Sequence, residues 1–215
     1  MQLRRGVAKH GPRQALLIVS KRLGSGIRRR WRRRYELIFD RARGIDTTGL
    51  GAIPEGGDAV RYQATMPKRF LRLMRALEIE PSLFTFVDLG CGKGRTLILA
   101  AELGFRRVIG VEFESHLAEA AKRNAEAIGA AAEIYDLDAS LYAFPSEPLI
   151  VYLYNPFLDT TMQRVLANLR ASLETSPRPV YVVYYNPVLA ELLDHQPFLV
   201  RVRSERDAAI YRVRA

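Results

Sequence analysis

After Pro81, short apolar segments alternate regularly with segments of helical periodicity. This alternation is typical of βαβ units, which form a parallel sheet with helices on its faces. The predicted strands are 84–89, 107–112, 132–137, 148–154, 179–185, 197–202 and 208–213, with helices at 93–103, 115–128, 160–173 and 187–194. Only residues 203–207 separate the last two strands, too few for a crossover. The sequence therefore predicts an α/β fold: a doubly wound, mostly parallel seven-stranded sheet with a C-terminal antiparallel hairpin.

Size and composition exclude several classes of protein. The 215 residues are 48% hydrophobic and 26% charged, which suits one globular domain with an extension. No apolar run approaches the roughly 18 residues of a membrane span. Cys91 has no partner for a disulfide, and His10, His116 and His195 form no metal-binding pattern with it. We expect a cytoplasmic protein without a metal, in which Cys91 is a small packing residue.

The positive charge is concentrated at the N-terminus. Residues 1–34 contain twelve of the 33 Lys and Arg residues and no acid, which leaves 21 bases against 23 acids in the rest of the chain. We interpret 1–34 as a basic N-terminal extension. It is predicted either to be a solvated extension or to contact an anionic membrane surface, nucleic acid or an acidic partner. Peripheral membrane attachment is favoured over nucleic acid, because Trp31 and the apolar residues 15–19 suit a lipid interface.

Residues 35–80 are predicted to form a helical and glycine-rich lid segment. Helical spacing of apolar residues over 31–43 stops at Gly44, and the glycine-rich stretch 44–62 then opposes regular structure. Thr65 is the predicted N-cap of a second helix, with Pro67 in its first turn. The remaining residues, 81–215, form the predicted catalytic domain.

A glycine-rich turn follows the first predicted strand, where Asp88 precedes Gly90, Gly92 and Gly94. Glycines there allow a tight turn and a close backbone approach to a nucleoside. Dinucleotide enzymes prefer G-x-G-x-x-G, and phosphate loops require G-x-x-x-x-G-K-[ST]. Asp88 would also repel a pyrophosphate. The turn is therefore predicted to bind a cationic ligand.

The pattern D-x-G-x-G-x-G resembles the S-adenosylmethionine (SAM) signature of the Rossmann-like class I methyltransferases. The resemblance covers roughly residues 62–215 in strand order. It implies that Glu112, at the end of the second strand, binds the ribose hydroxyls. It also implies that Asp138, after the third strand, lies near the adenine amine, with Asp136 as a competing choice.

Finer similarities point to a subgroup. Tyr62-Gln63-Ala64-Thr65, with the segments 87–90 and 110–112, resembles the histone lysine methyltransferases that lack a SET domain. It also resembles small lysine methyltransferases that act on a membrane-embedded ATP synthase subunit. In these families a Tyr-x-x-Thr element contacts the methionine end of SAM, which would assign Tyr62 and Thr65. The alternative is a strand end and a helix cap.

The fourth strand ends in Asn155-Pro156-Phe157, which is similar to the N-P-P-[FY] element of amino-methylating enzymes without its second proline. The similarity implies that the Asn155 side-chain oxygen and the next backbone carbonyl orient the acceptor nitrogen. An aromatic pocket of Tyr154, Phe157 and Tyr185 would lower the cost of deprotonating a lysine. At the fifth strand end, Asn186 is predicted to form a plain turn.

Together these patterns predict a SAM-dependent methyltransferase. A nitrogen acceptor is favoured over an oxygen, because no histidine lies at these strand ends. Protein lysine is the favoured acceptor, and its identity is otherwise unknown. The alternative is a catalytically silent SAM-binding or nucleic-acid-binding module with the same fold.

Overall fold

A computed structural model of the chain describes residues 33–49 and 63–214. The chain divides between Ala42 and Arg43 into two units. Within the first unit, residues 33–41 form helix α1, which agrees with the predicted helix over the part described. Residues 1–32 of the basic extension, with Trp31, and residues 50–62 of the predicted lid segment, with Tyr62, lie outside the described residues.

Seven strands form one sheet in the second unit. They are β1 (Thr85–Leu89), β2 (Arg107–Glu112), β3 (Glu133–Asp136), β4 (Leu149–Tyr154), β5 (Val180–Tyr185), β6 (Leu199–Glu205) and β7 (Ala208–Val213). Their order across the sheet is β3-β2-β1-β4-β5-β7-β6. The first five are parallel, whereas β7 pairs antiparallel with both β5 and β6. The predicted fold class is confirmed.

Five helices accompany the sheet among the residues described in this unit. They are α2 (Pro67–Arg75), α3 (Arg95–Glu102), α4 (Ser115–Ala127), α5 (Asp159–Thr175) and α6 (Ala190–Asp194). Helix α5 shows why they form: Met162, Val165, Leu166, Leu169 and Leu173 recur at helical spacing and are all buried in the core. The central strand β1 is buried along its whole length. Such burial explains why Phe86, Val87 and Leu89 show no simple alternation with exposed polar residues.

Strand β6 differs from the prediction of 197–202, because it runs from Leu199 to Glu205 and turns at Arg206 and Asp207. A register shift interrupts its pairing between Arg201 and Arg203. As an edge strand, β6 leaves residues 201–204 exposed. Its polar side chains give no apolar alternation that would mark its end.

The predicted N-cap of α2 is wrong. The cap position is Met66, and no side chain bonds to the helix there. Thr65 points into the protein instead, where its hydroxyl lies 3.1 Å from the Tyr152 hydroxyl. Pro67 does occupy the first turn, as predicted. Its fixed backbone angle favours helix initiation without a side-chain cap.

Among the residues that the structure describes, no helix combines the length and the apolar character of a membrane span.

Candidate active site

The glycine-rich turn lies at the carboxyl edge of the sheet, between β1 and α3. Gly90, Gly92 and Gly94 all have positive φ, at 82°, 55° and 81°. This left-handed conformation is costly for residues that carry a Cβ. The predicted glycine turn is therefore present, and each of its three glycines has a conformational reason.

Gly90 also brings the turn against the end of β4. A Cβ placed on Gly90 would lie 2.4 Å from the Pro156 Cβ, far inside van der Waals contact. Gly90 thus lets the glycine turn and the Asn155-Pro156 element pack directly on each other. The two predicted halves of the site are neighbours.

Glu112 ends β2 and reaches back to the turn. Its Oε2 accepts a hydrogen bond from the Gly92 N–H at 2.7 Å, and its Oε1 accepts one from the Glu114 N–H at 3.0 Å. Burial raises the pKa of this carboxyl, and the two backbone bonds oppose that rise. The bonds fix the orientation of the carboxylate beside the glycine turn.

Asp88 is a second buried carboxylate beneath the same turn. It accepts a hydrogen bond from the Thr96 hydroxyl of α3. Burial raises the pKa of Asp88 to about 7; the Thr96 bond lowers it, and the charge of Glu112 adds to the rise. Within residues 33–49 and 63–214, neither Asp88 nor Glu112 forms an ion pair with a lysine or arginine. Two buried acids without a protein cation are suited to a cationic ligand.

The acids after β3 occupy different positions. Asp136 ends the strand opposite Glu112 and is exposed. Asp138 caps a short 3-10 turn, Ala139–Leu141, by accepting the Ser140 N–H at 2.8 Å. Both lie at the carboxyl edge near Glu112, so the structure leaves both available for a ligand.

Residues 46–48 lie against the glycine turn, a contact that the sequence analysis missed. Lys93 in the turn donates to the Asp46 carboxylate at 3.0 Å and to the Thr48 carbonyl at 2.9 Å. Asn124 of α4 donates to the carbonyls of Asp46 and Lys93, both at 2.9 Å. We call residues 46–48 the strap. It is held on the turn by charge and backbone hydrogen bonds.

Arg95 anchors the strap and the start of α2 together. Its side chain is 1% exposed, and its Nε donates to the Thr47 hydroxyl at 2.7 Å. One terminal nitrogen also donates to the Thr65 carbonyl at 3.4 Å. The lone Arg after a glycine turn gives no hint of these partners, because they are 48 and 30 residues away.

Asn155 lies at the end of β4 with a positive φ of 43°. Its Oδ1 accepts a hydrogen bond from the Tyr184 hydroxyl at 3.2 Å, and that hydroxyl accepts the Leu189 N–H at 3.3 Å. Tyr184 is fully buried on the neighbouring strand. This relay fixes the Asn155 amide, and the sequence analysis did not single out Tyr184.

The three rings of the predicted aromatic pocket differ in burial. Phe157 is 6% exposed and packs in the hydrophobic core, whereas Tyr154 and Tyr185 are half-buried. The rings of Tyr154 and Tyr185 are in contact at an interplanar angle of 42°, with centroids 4.4 Å apart. The Tyr154 hydroxyl donates to the Gln63 amide oxygen at 2.8 Å, and the Arg69 guanidinium lies 5.6 Å from the centre of the Tyr185 ring.

Two residues of the sequence analysis have structural roles. Cys91 is buried, and its sulfur lies 2.8 Å from where a Cβ on Gly110 would be, so it is the predicted packing residue. Burial raises the pKa of its thiol. Asn186 has a φ of 51° and donates its N–H to the Asp207 carbonyl at 2.8 Å, as expected of a turn. In the described part of the chain, no group of three or more His, Cys, Asp or Glu residues is placed to hold a metal.

Comparison with known proteins agrees with this geometry. Residues 86–176 match a family described as a methyltransferase domain. A stretch of 52 residues is 40% identical to the uncharacterized protein MJ0284 of Methanocaldococcus jannaschii, covering 24% of this chain and 24% of that protein. The match thus spans about a quarter of the length of that curated relative.

Solved structures share the fold. A putative methyltransferase from Pseudomonas syringae superposes with a TM-score of 0.54 at 15% identity, covering 68% of this chain and 96% of that one. A putative RNA methyltransferase from Pyrococcus horikoshii gives a TM-score of 0.50 at 20% identity, covering 68% and 81%. A ribosomal protein L11 methylase from Lactobacillus delbrueckii gives 0.50 at 16% identity, covering 71% and 80%.

The fold and the glycine turn agree with the methyltransferase domain that residues 86–176 match. The cofactor that this match supports is S-adenosyl-L-methionine. The residues present fit this group, because two buried acids lie beside a turn of glycines and suit a ligand with a positive charge.

Proposed function

We propose that this protein transfers a methyl group from SAM to a nitrogen, with a protein lysine as the favoured acceptor. The observation that carries the proposal is the contact between Gly90 and Pro156, which joins the glycine turn to the Asn155 element. A methyl transfer needs the donor and acceptor held side by side. When bound, SAM supplies an electrophilic methyl group on a positively charged sulfur.

The cofactor site, in this proposal, is built around the glycine turn. Gly90, Gly92 and Gly94 let the backbone approach the ligand, and Asp88 compensates its positive charge. Glu112 keeps acceptor capacity for the ribose hydroxyls while its bonds to Gly92 and Glu114 hold it in place.

The residues that we propose at the two ends of the cofactor are those that the resemblance to methyltransferases implies. Asp138 would accept the adenine amine, with Asp136 as the alternative. Tyr62 and Thr65 would contact the methionine end. Thr65 is supported by its anchored position, since Arg95 holds its carbonyl.

The acceptor side depends on Asn155. Its side-chain oxygen has two lone pairs, of which Tyr184 uses one. The second lone pair and the Pro156 carbonyl would accept hydrogen bonds from the acceptor nitrogen. The lone pair of the acceptor nitrogen is then directed toward the methyl group of SAM.

A lysine acceptor must lose a proton before it reacts. From an ordinary pKa this costs about 4 to 5 kcal/mol at neutral pH. The half-buried rings of Tyr154 and Tyr185 exclude water from that side of the site. Desolvation favours the neutral amine and so reduces the cost.

Radiolabelled SAM incubated with fractionated cell protein, RNA, lipid and small molecules tests the proposal. We expect label in protein, at lysine, with wild-type enzyme. Asn155→Ala should lose the transfer but keep SAM affinity by calorimetry, whereas Glu112→Ala should lose affinity by about 1.5 to 3 kcal/mol. Binding without transfer to any fraction would identify the silent module instead. Methyl transfer at the wild-type rate by the Asn155→Ala variant would show that the acceptor site lies elsewhere.

A further inference from the structure

A groove of about 880 Å³ lies at the amino edge of the sheet, opposite the candidate active site. It is formed where α5 ends, where β5 and β6 begin and where the antiparallel β7 ends. Strand β5 has six residues, so about 20 Å of sheet separates this groove from the acceptor edge. We call it the amino-edge groove. The proposed methyl transfer makes no use of it.

Arg178 places a fixed positive charge in this groove. Its guanidinium donates to the carbonyls of Glu147, Ser172 and Ser176, at 3.1, 3.0 and 2.6 Å, and to the Ser172 hydroxyl at 2.7 Å. In the described part of the chain it has no carboxylate within ion-pair distance. Desolvation lowers the pKa of Arg178, and the charge of Glu147 opposes this only in part. A half-buried cation that forms no ion pair with any described residue favours an anionic ligand.

Two more arginines extend the positive charge along β7. Arg212 and Arg214 are exposed, and Arg214 donates its Nε to the Leu199 carbonyl at 3.2 Å. Neither forms an ion pair with any described residue. The groove also contains an acid, Glu174, but this lies 2.9 Å from Arg170 and is neutralised by it. The groove as a whole is therefore positive.

The floor of the groove is apolar. Leu173 is buried there, and Tyr181, Phe198 and Val213 are half-buried. A ligand that fills the groove must therefore offer apolar groups as well as negative charge. Nucleic acid offers the negative charge but suits an apolar floor poorly, because proteins bind it mainly through phosphate contacts on a polar surface.

The basic extension is not such a ligand. Residues 1–34 carry twelve positive charges and no acid, so the groove would repel them. A second copy would bring an equally positive groove to this face. We propose that the amino-edge groove binds an acidic segment of a partner protein, with carboxylates on Arg212 and Arg214 beside the charge of Arg178, and apolar side chains on the floor.

Fluorescence anisotropy with a labelled peptide of alternating glutamate and leucine tests this site in the full-length protein. The wild type should bind it with strong salt dependence. Binding should weaken at least about tenfold for the double variant Arg212→Glu/Arg214→Glu. A charge-matched control, Arg123→Glu/Arg164→Glu, alters exposed positions on α4 and α5 outside the groove and should bind as the wild type does.

Two further probes separate the alternatives. A peptide with glutamine in place of glutamate should bind at least about tenfold more weakly, because it lacks the charge. The proposal is overturned if the acidic peptide fails to bind at about 1 mM, or if both double variants lose it equally. Tighter binding of a single-stranded RNA than of the peptide would assign the groove to nucleic acid and would also overturn it.

Discussion

Asp88 is a buried carboxyl group whose ionised form is unfavourable in the protein without a cationic ligand. Its carboxyl is 3% exposed, and its pKa is about 7 instead of 3.8. The folded protein therefore binds this proton more tightly than the unfolded chain does. Its contribution to stability falls as pH rises from about 4 to about 7. At higher pH the buried negative charge favours binding of a cation.

Asp88→Asn should accordingly stabilise the protein without cofactor at pH 8, by several degrees in Tm. Thr96 can still donate to the amide oxygen, whereas the buried charge is gone. Thermal unfolding at pH 8 and pH 5 measures this, and the gain should be clearly smaller at pH 5, where Asp88 is protonated in the folded protein. SAM affinity should fall in the same variant. An equal Tm change at both pH values would contradict the assigned cause.

Tyr184→Phe tests a residue that acts through Asn155. Loss of its hydroxyl frees the Asn155 amide, so transfer should slow about tenfold while SAM affinity stays unchanged. Steady-state rates with the labelled fraction and calorimetry measure the two effects. Tyr181→Phe, near the other end of the same strand, is the control and should transfer normally. Equal rates in both variants would remove Tyr184 from the mechanism.

At the scale of elements, the glycine turn packs so closely on the end of β4 that one added methyl group would not fit between them. Gly90→Ala adds this group 2.4 Å from the Pro156 Cβ and at a φ of 82°. Gly104→Ala has nearly the same φ, 79°, and meets nothing within 4 Å. The pair therefore separates the clash from the backbone strain.

We expect Gly104→Ala to cost about 1 to 2 kcal/mol of unfolding free energy, and Gly90→Ala clearly more. Urea denaturation measures both. Only the Gly90 variant should also lose SAM affinity, because its turn must shift. If the two variants are equally unstable and both bind SAM normally, the contact with Pro156 has no part in forming the site.

The strands and the site residues also show how much of the structure could be predicted from the sequence. Apolar sequence located β1, β2, β4 and β5 because these strands are buried, and it misplaced β6 because that edge strand is polar. The glycine spacing predicted the turn because left-handed backbone needs glycine. Resemblance placed Phe157 at the acceptor side, whereas packing put it in the core. Tyr184 and Arg95 were missed because their partners are brought near only by strand register and chain folding.

At the scale of the whole molecule, the positive charge lies in the basic extension and outside the proposed methyltransferase domain, and this leads to a prediction about the extension. Residues 1–34 carry the positive charge, whereas the remaining chain is nearly neutral. Deleting them should leave SAM binding intact and abolish salt-sensitive sedimentation with anionic vesicles. Vesicles of neutral lipid are the control and should bind neither form. Full-length protein that sediments with no vesicle at low salt would contradict the membrane assignment.

Arg95 has a consequence for how this molecule tolerates change. One buried guanidinium binds both Thr47 and Thr65, so two segments that are 18 residues apart share one anchor. Replacing Arg95 with a shorter side chain would remove both of these bonds at once. The strap and the start of α2 would then lose their common attachment to α3. A single substitution would therefore act on two parts of the molecule that are distant in the sequence.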